Sequence, residues 1–509
     1  MRREVLKRFS WNNHTSRRFF NITKMKQKKY IGIFIMLCFI GELFAQTPNN
    51  SFQEFREGVL GRYSAHHTHV LNEYAKYLKG VWQEYQSFRG ITSDSCPKPN
   101  RQPQFSPKAQ PSVPIQLDPV SFQIPNPDKQ PTLPISQPRK PKHDDSQKYF
   151  ELSFYGIPLQ LPEPNKPFSL TSYTPEAISD YWDKLLKEND YKYLISELKY
   201  IADQLVLNDW LRTELIRCYI DQWLASSTPN TRIIFRHFIL TYMGYDIRLG
   251  LTKEKQLVLM IPFEQTVYAR TYLQLGGNKY YIFYDSKAEE KKLPSISTCN
   301  LPERFSTRKS IDLSFQTPLA LPNIQLIEFQ LTDGNLSVNG TISKALISML
   351  THYPQMPIPT YATSTLLDDV RQHIVEQLKT QLAGLEKLEA LNALLHFVQY
   401  AFRYATDKQQ FGYEKPFFLE EILYYPACDC EDRSIFFAYL VRNVLNIDCH
   451  LINFPGHECT AVELSYPIKG VSYSYKGKKY YISDPTYIGA TIGMCMPDYL
   501  QIQPVIELW

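Results

Sequence analysis

This chain of 509 residues has no long apolar run, no regular cysteine spacing and no excess of basic residues beyond its amino-terminal segment. No apolar run is long enough to span a bilayer comfortably, since the stretch Ile31–Ile40 has only ten residues. The cysteines lack the regular spacing of a disulfide framework. Basic residues are in excess only in residues 1–45, which carry ten Lys and Arg against two acids. Removing that net +8 from the total of +5 leaves the rest near −3, so nothing indicates a nucleic-acid-binding surface.

The amino-terminal segment has the layout of a secretory signal peptide. Lys26, Lys28 and Lys29 precede the apolar stretch, and Leu43–Ala45 follows it as a small-residue cleavage site. We therefore expect a secreted or periplasmic protein, cleaved near Ala45, that meets the membrane only through residues 1–45. The alternative is an uncleaved membrane anchor.

The remaining sequence divides by composition. Apolar residues make up 43% and aromatic residues 14%, which is typical of a globular protein with a large core. Apolar positions recur at helical spacing through residues 46–95, which predicts a helical segment. Residues 97–141 hold 13 of the 35 prolines. Residues 96–147 are therefore predicted to be an extended linker.

An internal duplication follows the linker. Three pairs of segments match in the same order, separated by one insertion: Phe150–Phe154 with Ile311–Phe315, Thr228–Phe235 with Cys430–Phe437, and Lys279–Ile282 with Lys479–Ile482. The order predicts two copies of one domain, at 148–300 and 309–509.

Each copy is predicted to be α+β, with helices packed on an antiparallel sheet. A strand opens each copy. Helices follow, at 206–225 and 231–243 in the first copy and at 386–405 and 432–445 in the second. The closing strands of the second copy are predicted at Asp448–Phe454, Thr460–Tyr466 and Lys479–Ser483. The last two are joined through a turn near Lys476–Gly477.

The second copy carries a candidate catalytic set. Cys430, His457 and Asp484 are each separated by 27 residues. Acyl transfer through a thioester requires a thiolate to attack, an imidazole to move the proton and a carboxylate to orient the imidazole. Cys430 stands at the start of a predicted helix, where the helix dipole is expected to lower the thiol pKa. Cys428 is the competing nucleophile, less well placed against the helix.

These motifs resemble the transglutaminase-like, papain-fold superfamily. The resemblance covers roughly residues 385–490: Cys430–Asp432 at a helix start, Gly456–His457 before a strand, and Asp484–Thr486 after one. The wider layout is similar to exported Bacteroidetes-type members. The resemblance implies a Cys430–His457–Asp484 triad without a cofactor, acting on a peptide or protein, including cell-wall peptide. Cys428 departs from the family pattern, which often has glycine there. We expect hydrolysis of a peptide or amide bond rather than crosslinking.

The first copy is expected to be non-catalytic. Thr228 stands at the position of Cys430, no histidine follows His237 in that copy, and only Asp285 falls near the position of Asp484. Fold alone therefore does not demand the three residues.

Several alternatives stay open on the sequence. Cys428, Cys430, His457 and Cys459 are a candidate zinc set, although C-x-C spacing is less typical of structural zinc. The protein could use the fold only to bind a peptide or wall polymer, or it could be a crosslinking transglutaminase. Candidate oxyanion donors are Gln409, Gln410 and the backbone N–H of Cys430.

Overall fold

The computed structural model describes residues 116–117, 122–123, 148–165, 170–172, 174–187, 190–286, 295–300 and 309–507. All of these belong to one compact unit, Tyr77–Trp509. The predicted signal peptide, the helical segment at 46–95 and most of the proline-rich linker lie outside the described residues. Across the described ranges, no helix has the length and apolar character needed to cross a membrane.

The described chain is a mixture of helix and sheet, as predicted. The α-helices are Pro175–Lys187, Asp190–Gln204, Asp209–Trp223, Pro229–Tyr242, Lys344–Leu350, Ile358–Ala362, Asp368–Gln381, Lys387–Ala401, Asp407–Gln410, Leu419–Tyr424 and Cys430–Leu445. The strands are β1 Gln116–Leu117, β2 Phe122–Gln123, β3 Tyr149–Phe154, β4 Ile157–Pro162, β5 Arg248–Leu251, β6 Leu257–Pro262, β7 Tyr272–Leu275, β8 Asn278–Phe283, β9 Ser295–Asn300, β10 Leu326–Thr332, β11 Ser337–Ser343, β12 Arg403–Tyr404, β13 Ala427–Cys428, β14 Cys449–Phe454, β15 His457–Glu463, β16 Ser472–Tyr475, β17 Lys478–Ser483 and β18 Val505–Glu507.

Two antiparallel sheets with the same strand order dominate the architecture. The first runs β9-β5-β6-β8-β7, with β1 and β2 added in parallel at β9. The second runs β18-β14-β15-β17-β16. The first to fifth strands along the chain therefore occupy the same positions in the two sheets. A two-stranded hairpin precedes the helices of each half, β3–β4 in the first and β10–β11 in the second.

The Cys430–Leu445 helix is buried on nearly every side, and local hydrogen bonds fix its start. The N–H of Asp429 donates to Asp432 Oδ2 at 3.4 Å, and the N–H of Phe417 donates to Asp432 Oδ1 at 2.8 Å. A helix start leaves several N–H groups without helical acceptors, so this aspartate stabilises the turn. Asn446 ends the helix in the left-handed conformation, at φ 54°.

One core of contacting buried side chains runs through both halves. Trp182 and Phe235 from the first half belong to the same cluster as Leu394 and Phe437 from the second. Each sheet also covers a smaller cluster on its other face. In the second half this cluster holds Ile452, Phe454, Cys459, Ala461, Tyr480, Ile482, Met496 and Tyr499.

Two details of the predicted strands are wrong. Ile311–Phe315 was expected to open the second copy as a strand, yet only Ile311 pairs, through an isolated bridge to Phe263. Side chains satisfy the following backbone instead, because Leu313 N–H donates to Gln265 Oε1 and Ser314 N–H to Asp312 Oδ1. The hairpin of this half is β10–β11.

The turn at Lys476–Gly477 also joins a different pair of strands from the predicted pair. It connects β17 to β16, a strand that the sequence patterns did not reveal. Both turn residues have positive φ, 47° and 79°, which suits a tight hairpin between twisted strands.

Candidate active site

Cys430 is the first residue of the Cys430–Leu445 helix and is almost completely buried. Its thiol donates a hydrogen bond to Glu431 Oε2 at 3.1 Å. Burial raises the pKa of this thiol well above its usual value, and the carboxylates of Glu431 and Asp429 raise it further. This direction is opposite to the lowered pKa expected from the helix dipole. Burial and the hydrogen bond to Glu431 both favour the protonated thiol in the described conformation.

His457 and Asp484 form a buried pair. His457 opens β15 and Asp484 follows β17, and the ring Nε2 lies 2.7 Å from Asp484 Oδ2. The imidazole stacks on Tyr499 with ring centroids 5.0 Å apart. Its other nitrogen, Nδ1, is buried and makes no hydrogen bond within the described residues. An imidazole held in this way keeps Nδ1 available to exchange a proton.

Hydrogen bonds to the Asp484 side chain and to backbone groups of the loop hold the loop that carries Asp484. Asp484 Oδ1 accepts the N–H groups of Thr486 at 2.8 Å and Tyr487 at 3.1 Å. Gln399, which is also buried, donates to the carbonyl oxygens of Asp484, Tyr487 and Ala490 at 2.9–3.1 Å. Its Oε1 accepts the N–H of Gly489 at 3.1 Å. The carboxylate is therefore fixed before any ligand arrives.

Cys430 contacts the backbone of Glu458, the residue that follows His457. The backbone N–H of Glu458 faces the Cys430 sulfur and opposes the increase in its pKa. Ser434, one turn further along the helix, donates to the carbonyl of Glu458 at 3.1 Å. Within the described residues no hydrogen bond joins Cys430 to His457 itself. The structure thus unites His457 with Asp484 and sets the thiol against the adjoining backbone.

The cysteines whose side chains the structure describes are all thiols. The described Cys218, Cys428, Cys430, Cys449, Cys459 and Cys495 form no disulfide. Cys428 is completely buried, and burial raises its pKa. Cys428 and Cys430 therefore do not block each other in this conformation.

The zinc set suggested by the sequence is brought together only in part. Ligand atoms of His457, Cys459 and Asp484 all lie within 4.8 Å of one another, and all three residues are buried. Cys428 and Cys430 do not belong to this group. A histidine, a thiol and a carboxylate suit zinc chemically, but Asp484 is already bonded to the imidazole.

Gln409 and Gln410, two of the three candidate oxyanion donors, have other partners. Gln409 Oε1 accepts the N–H of Thr406 at 3.1 Å, and Gln410 Nε2 donates to the carbonyl of Ala405 at 3.2 Å. Both side chains stabilise the short Asp407–Gln410 helix. The backbone N–H of Cys430 is the one of the three that lies at the thiol.

Tyr404 is a site residue that sequence reasoning missed. It pairs with Cys428 across β12 and β13, and the Arg433 guanidinium carbon lies 5.5 Å from its ring centroid. Its hydroxyl is buried without a hydrogen-bond partner in the described chain. Burial raises the Tyr404 pKa, and the proximity of the Cys430 side chain raises it further. No local sequence signal marks Tyr404, because a two-residue strand brings it to the site.

A buried acidic group beside the thiol was also missed. Oxygen atoms of Asp407, Asp429 and Glu431 all lie within 4.8 Å of one another. Asp429 and Glu431 flank Cys430 directly, so the alternation of acid, thiol and acid was visible in the sequence. Asp407 is distant along the chain and could not be assigned to the group.

The matching positions of the first half hold different residues. Thr228 caps the Pro229–Tyr242 helix and accepts the N–H of Thr231 at 3.3 Å. Strand register places Gln256 at the position that His457 has in the second half. Ile282 and Ile482 are matching residues of the two copies. Gln256 lies four residues before the strand partner of Ile282, and His457 lies four residues before the strand partner of Ile482.

Asp285, near the position of Asp484, has a different role from Asp484. It is held by Arg232 Nε at 2.9 Å and by Arg236 Nη2 at 2.9 Å. Its partners are guanidinium groups and not an imidazole. The first half therefore has neither a thiol nor a histidine at the positions that match Cys430 and His457.

The chain matches no family model, no curated protein and no solved structure at a significant level of similarity. The resemblance to the transglutaminase-like superfamily depends on the residues described above.

Proposed function

We propose that this chain is a thiol-dependent acyl-transfer enzyme that hydrolyses peptide or amide bonds through Cys430, His457 and Asp484. The observation that carries the proposal is the buried His457–Asp484 pair. Among the described residues its Nδ1 atom has no hydrogen-bond partner, and the next residue, Glu458, contacts Cys430 through its backbone. Burying a polar nitrogen without a hydrogen bond is unfavourable. Such an atom suggests a functional requirement.

The proposed reaction begins when the Cys430 thiol rotates from Glu431 to His457 Nδ1. The thiol proton moves to Nδ1 while the sulfur adds to the substrate carbonyl carbon. As the C–N bond breaks, Nδ1 returns that proton to the leaving amine. Water then gives one proton to Nδ1 and its hydroxide to the thioester carbon. The carboxylic acid departs, and the sulfur regains its proton from Nδ1.

Two donors are proposed for the negative charge that develops on the carbonyl oxygen. The N–H of Cys430 opens a helix and lacks a helical acceptor. The Tyr404 hydroxyl is buried beside Cys430 and has no hydrogen-bond partner in the described ranges. Donors already oriented in a buried site stabilise an oxyanion strongly, because little reorganisation is needed.

The two halves support a duplicated transglutaminase-like architecture with one active copy. Their sheets share one strand order. Tyr280 donates to Asp246, which precedes β5, and Tyr480 donates to Asp448, which precedes β14. Thr228 and Gln256 replace the thiol and the imidazole in the first half. We infer that the first half is a structural or binding repeat.

The proposed export and substrate class rest on the sequence alone. The leader at residues 1–45 supports a secreted or periplasmic enzyme, for which a protein or cell-wall peptide is an accessible substrate. Water is abundant there, so hydrolysis is favoured over crosslinking. A protein that only binds peptide, or one that crosslinks, is the alternative that the test must distinguish.

The test is to incubate the purified mature protein with peptide and cell-wall fragment libraries and to identify products by mass spectrometry. Cys430→Ala should abolish product formation, whereas Cys428→Ala should leave it largely intact. New carboxyl termini indicate hydrolysis, and masses of joined peptides with loss of ammonia indicate crosslinking. Product formation that survives Cys430→Ala would exclude the proposed mechanism, and no product from any library would favour a binding protein.

A further inference from the structure

Arg433 is a buried cation on the Cys430–Leu445 helix. It lies three residues after Cys430, and only 1% of its surface is exposed. In the described ranges no carboxylate forms an ion pair with it, in contrast to Arg442 on the same helix, which pairs with Asp448 at 3.6 Å. Charged side chains are seldom buried to this extent without an opposite charge. Replacing a buried charge by apolar side chains is often neutral or stabilising, so the burial indicates a requirement for the guanidinium itself.

Backbone carbonyl groups take the place of the missing carboxylate. Arg433 Nη2 donates to the carbonyl of Phe402 at 2.8 Å, and Nη1 donates to the carbonyl of Gln399 at 3.1 Å. Both carbonyls lie at the end of the Lys387–Ala401 helix, where the last carbonyl groups lack helical donors and carry partial negative charge. A guanidinium is stabilised at a helix carboxyl end for that reason. Arg433 Nε, by comparison, is buried with no hydrogen-bond partner among the described residues.

The same guanidinium contacts both segments that complete the proposed site. Nη1 lies 3.5 Å from the carbonyl oxygen of Pro485, the residue after Asp484. The guanidinium carbon lies 5.5 Å from the ring centroid of Tyr404, within the range of a cation–π contact. One side chain on the helix of Cys430 therefore links the segment that carries the proposed oxyanion donor to the loop that carries the carboxylate partner of the imidazole.

We propose that Arg433 is a positioning residue that aligns Tyr404 and the Asp484 loop with the thiol of Cys430. This inference rests on the proposed function, because both groups act there on the reaction of that thiol. A planar guanidinium suits this role, since its donors point in fixed directions and reach separate carbonyl groups at once.

The charge of Arg433 has a second effect on Tyr404. Burial raises the pKa of the Tyr404 hydroxyl, and the positive charge of Arg433 opposes that increase. A more acidic hydroxyl is a stronger hydrogen-bond donor, so the cation favours donation to the oxyanion. Arg433 then acts through Tyr404 and needs no contact with the substrate.

Substitutions at Arg433 test the alignment against simple packing. Arg433→Lys keeps the charge but replaces the planar fork by a point charge. We expect kcat to fall by about tenfold to a hundredfold, with KM changed by less than about threefold. Arg433→Gln, which also removes the charge, should lose more. Arg442→Lys is the matched control on the same helix and should keep kcat within about twofold of wild type.

A double-variant cycle separates positioning from a general loss of stability. If Arg433 acts through Tyr404, combining Arg433→Lys with Tyr404→Phe should reduce kcat at least about fivefold less than the product of the two single losses. Independent effects would multiply. A variant that is merely less stable would have a lower Tm and an unchanged kcat per folded molecule.

Hydrogen exchange tests the alignment without any substrate. In Arg433→Lys we expect the backbone amides of 402–405 and 485–490 to exchange about tenfold faster than in wild type, while those of the β10–β11 hairpin stay unchanged. Circular dichroism establishes that the variants fold. Arg433→Gln serves in both experiments if Arg433→Lys does not fold.

The results separate this inference from the proposed function. Turnover that depends on Cys430 but keeps the wild-type kcat in folded Arg433→Lys and Arg433→Gln would overturn the positioning role and leave the proposed function intact. Multiplying losses in the double variant, or unchanged exchange at 402–405 and 485–490, would also overturn it. A wild-type chain that forms no product would end the proposed function, and exchange alone would then decide whether Arg433 holds the two segments.

Discussion

The Nε2 atom of His457 lies 2.7 Å from Asp484 Oδ2, and both residues are excluded from solvent. With Nε2 bonded to a carboxylate, the neutral imidazole carries its proton on Nε2 and exposes a lone pair on Nδ1. That tautomer is the one that can accept a thiol proton.

Asp484→Asn should therefore abolish the proposed activity while leaving the fold intact. The amide would donate to Nε2 and force the ring proton to Nδ1, so the imidazole could no longer accept from Cys430. We expect kcat/KM to fall by about 10³- to 10⁴-fold, as for the corresponding change in other triads, with little change in unfolding free energy. Steady-state kinetics beside the exposed control Asp369→Asn measures this, and activity within tenfold of wild type would contradict it.

Tyr404→Phe tests the proposed oxyanion donor. Loss of one such donor reduces kcat by about 10²- to 10³-fold in acyl-transfer enzymes, so we expect a loss of that order with KM nearly unchanged. Stability should not fall, because the hydroxyl has no hydrogen bond to any residue that the structure describes. Tyr439→Phe is a matched control, since its hydroxyl is also buried and unpartnered within the described chain. Equal effects of the two changes on kcat would remove Tyr404 from the mechanism.

Gln399→Ala should loosen the loop that carries Asp484. Four hydrogen bonds are lost and buried backbone groups are left without partners, each costing about 1–3 kcal/mol when unsatisfied. We expect a decrease in unfolding free energy of roughly 3 kcal/mol, measured by urea denaturation, and a lower kcat. Gln381→Ala, which removes three hydrogen bonds at an exposed helix surface, is the comparison. A stability change no larger than that of Gln381→Ala would show that the loop is held by other contacts.

The features of the fold and the site that could be predicted are those that a short stretch of sequence encodes. The start of the helix at Cys430 and of the strand at His457 follow from local patterns, and both lie close to the predicted bounds. The mixed α+β class followed in the same way from helical and alternating apolar spacing. The catalytic roles of Cys430, His457 and Asp484 stay predictions, although the structure does place the last two in contact.

Other features depend on tertiary contacts that no local pattern encodes. A two-residue strand places Tyr404 beside the thiol. Gln399 makes hydrogen bonds with a loop some 90 residues further along the chain. The thiol pKa was predicted to be low from the position of Cys430 at the helix start. Burial and two adjacent carboxylates outweigh the effect of that position. Ile311–Phe315 repeats a strand sequence, yet its backbone bonds to side chains instead.

Glu420 should make stability depend on pH. Burial raises the pKa of this carboxyl to about 7, against a single opposing hydrogen bond from the N–H of Leu367. Since the folded pKa lies above the unfolded value, the folded state holds the proton more tightly. The contribution is therefore fully present below about pH 4.5 and is lost as pH rises to about 7.

Replacing this group with an amide should remove the dependence. Between pH 4.5 and pH 8, the unfolding free energy of Glu420→Gln should improve relative to wild type by roughly 3 kcal/mol. Urea denaturation at both pH values measures the difference. The exposed Glu376→Gln is the control, and a Glu420→Gln difference that does not vary with pH would contradict the assigned burial.

The most direct measurement of the central proposal is to trap the acyl-enzyme. The mature protein is mixed with a cleavable peptide and quenched in acid within milliseconds to seconds, and the digested chain is analysed by mass spectrometry. We predict a mass increase equal to the acyl portion of the peptide on the fragment that contains Cys430, and none after His457→Ala. Turnover of the peptide with no adduct at Cys430, or with the adduct on Cys428, would contradict the assignment.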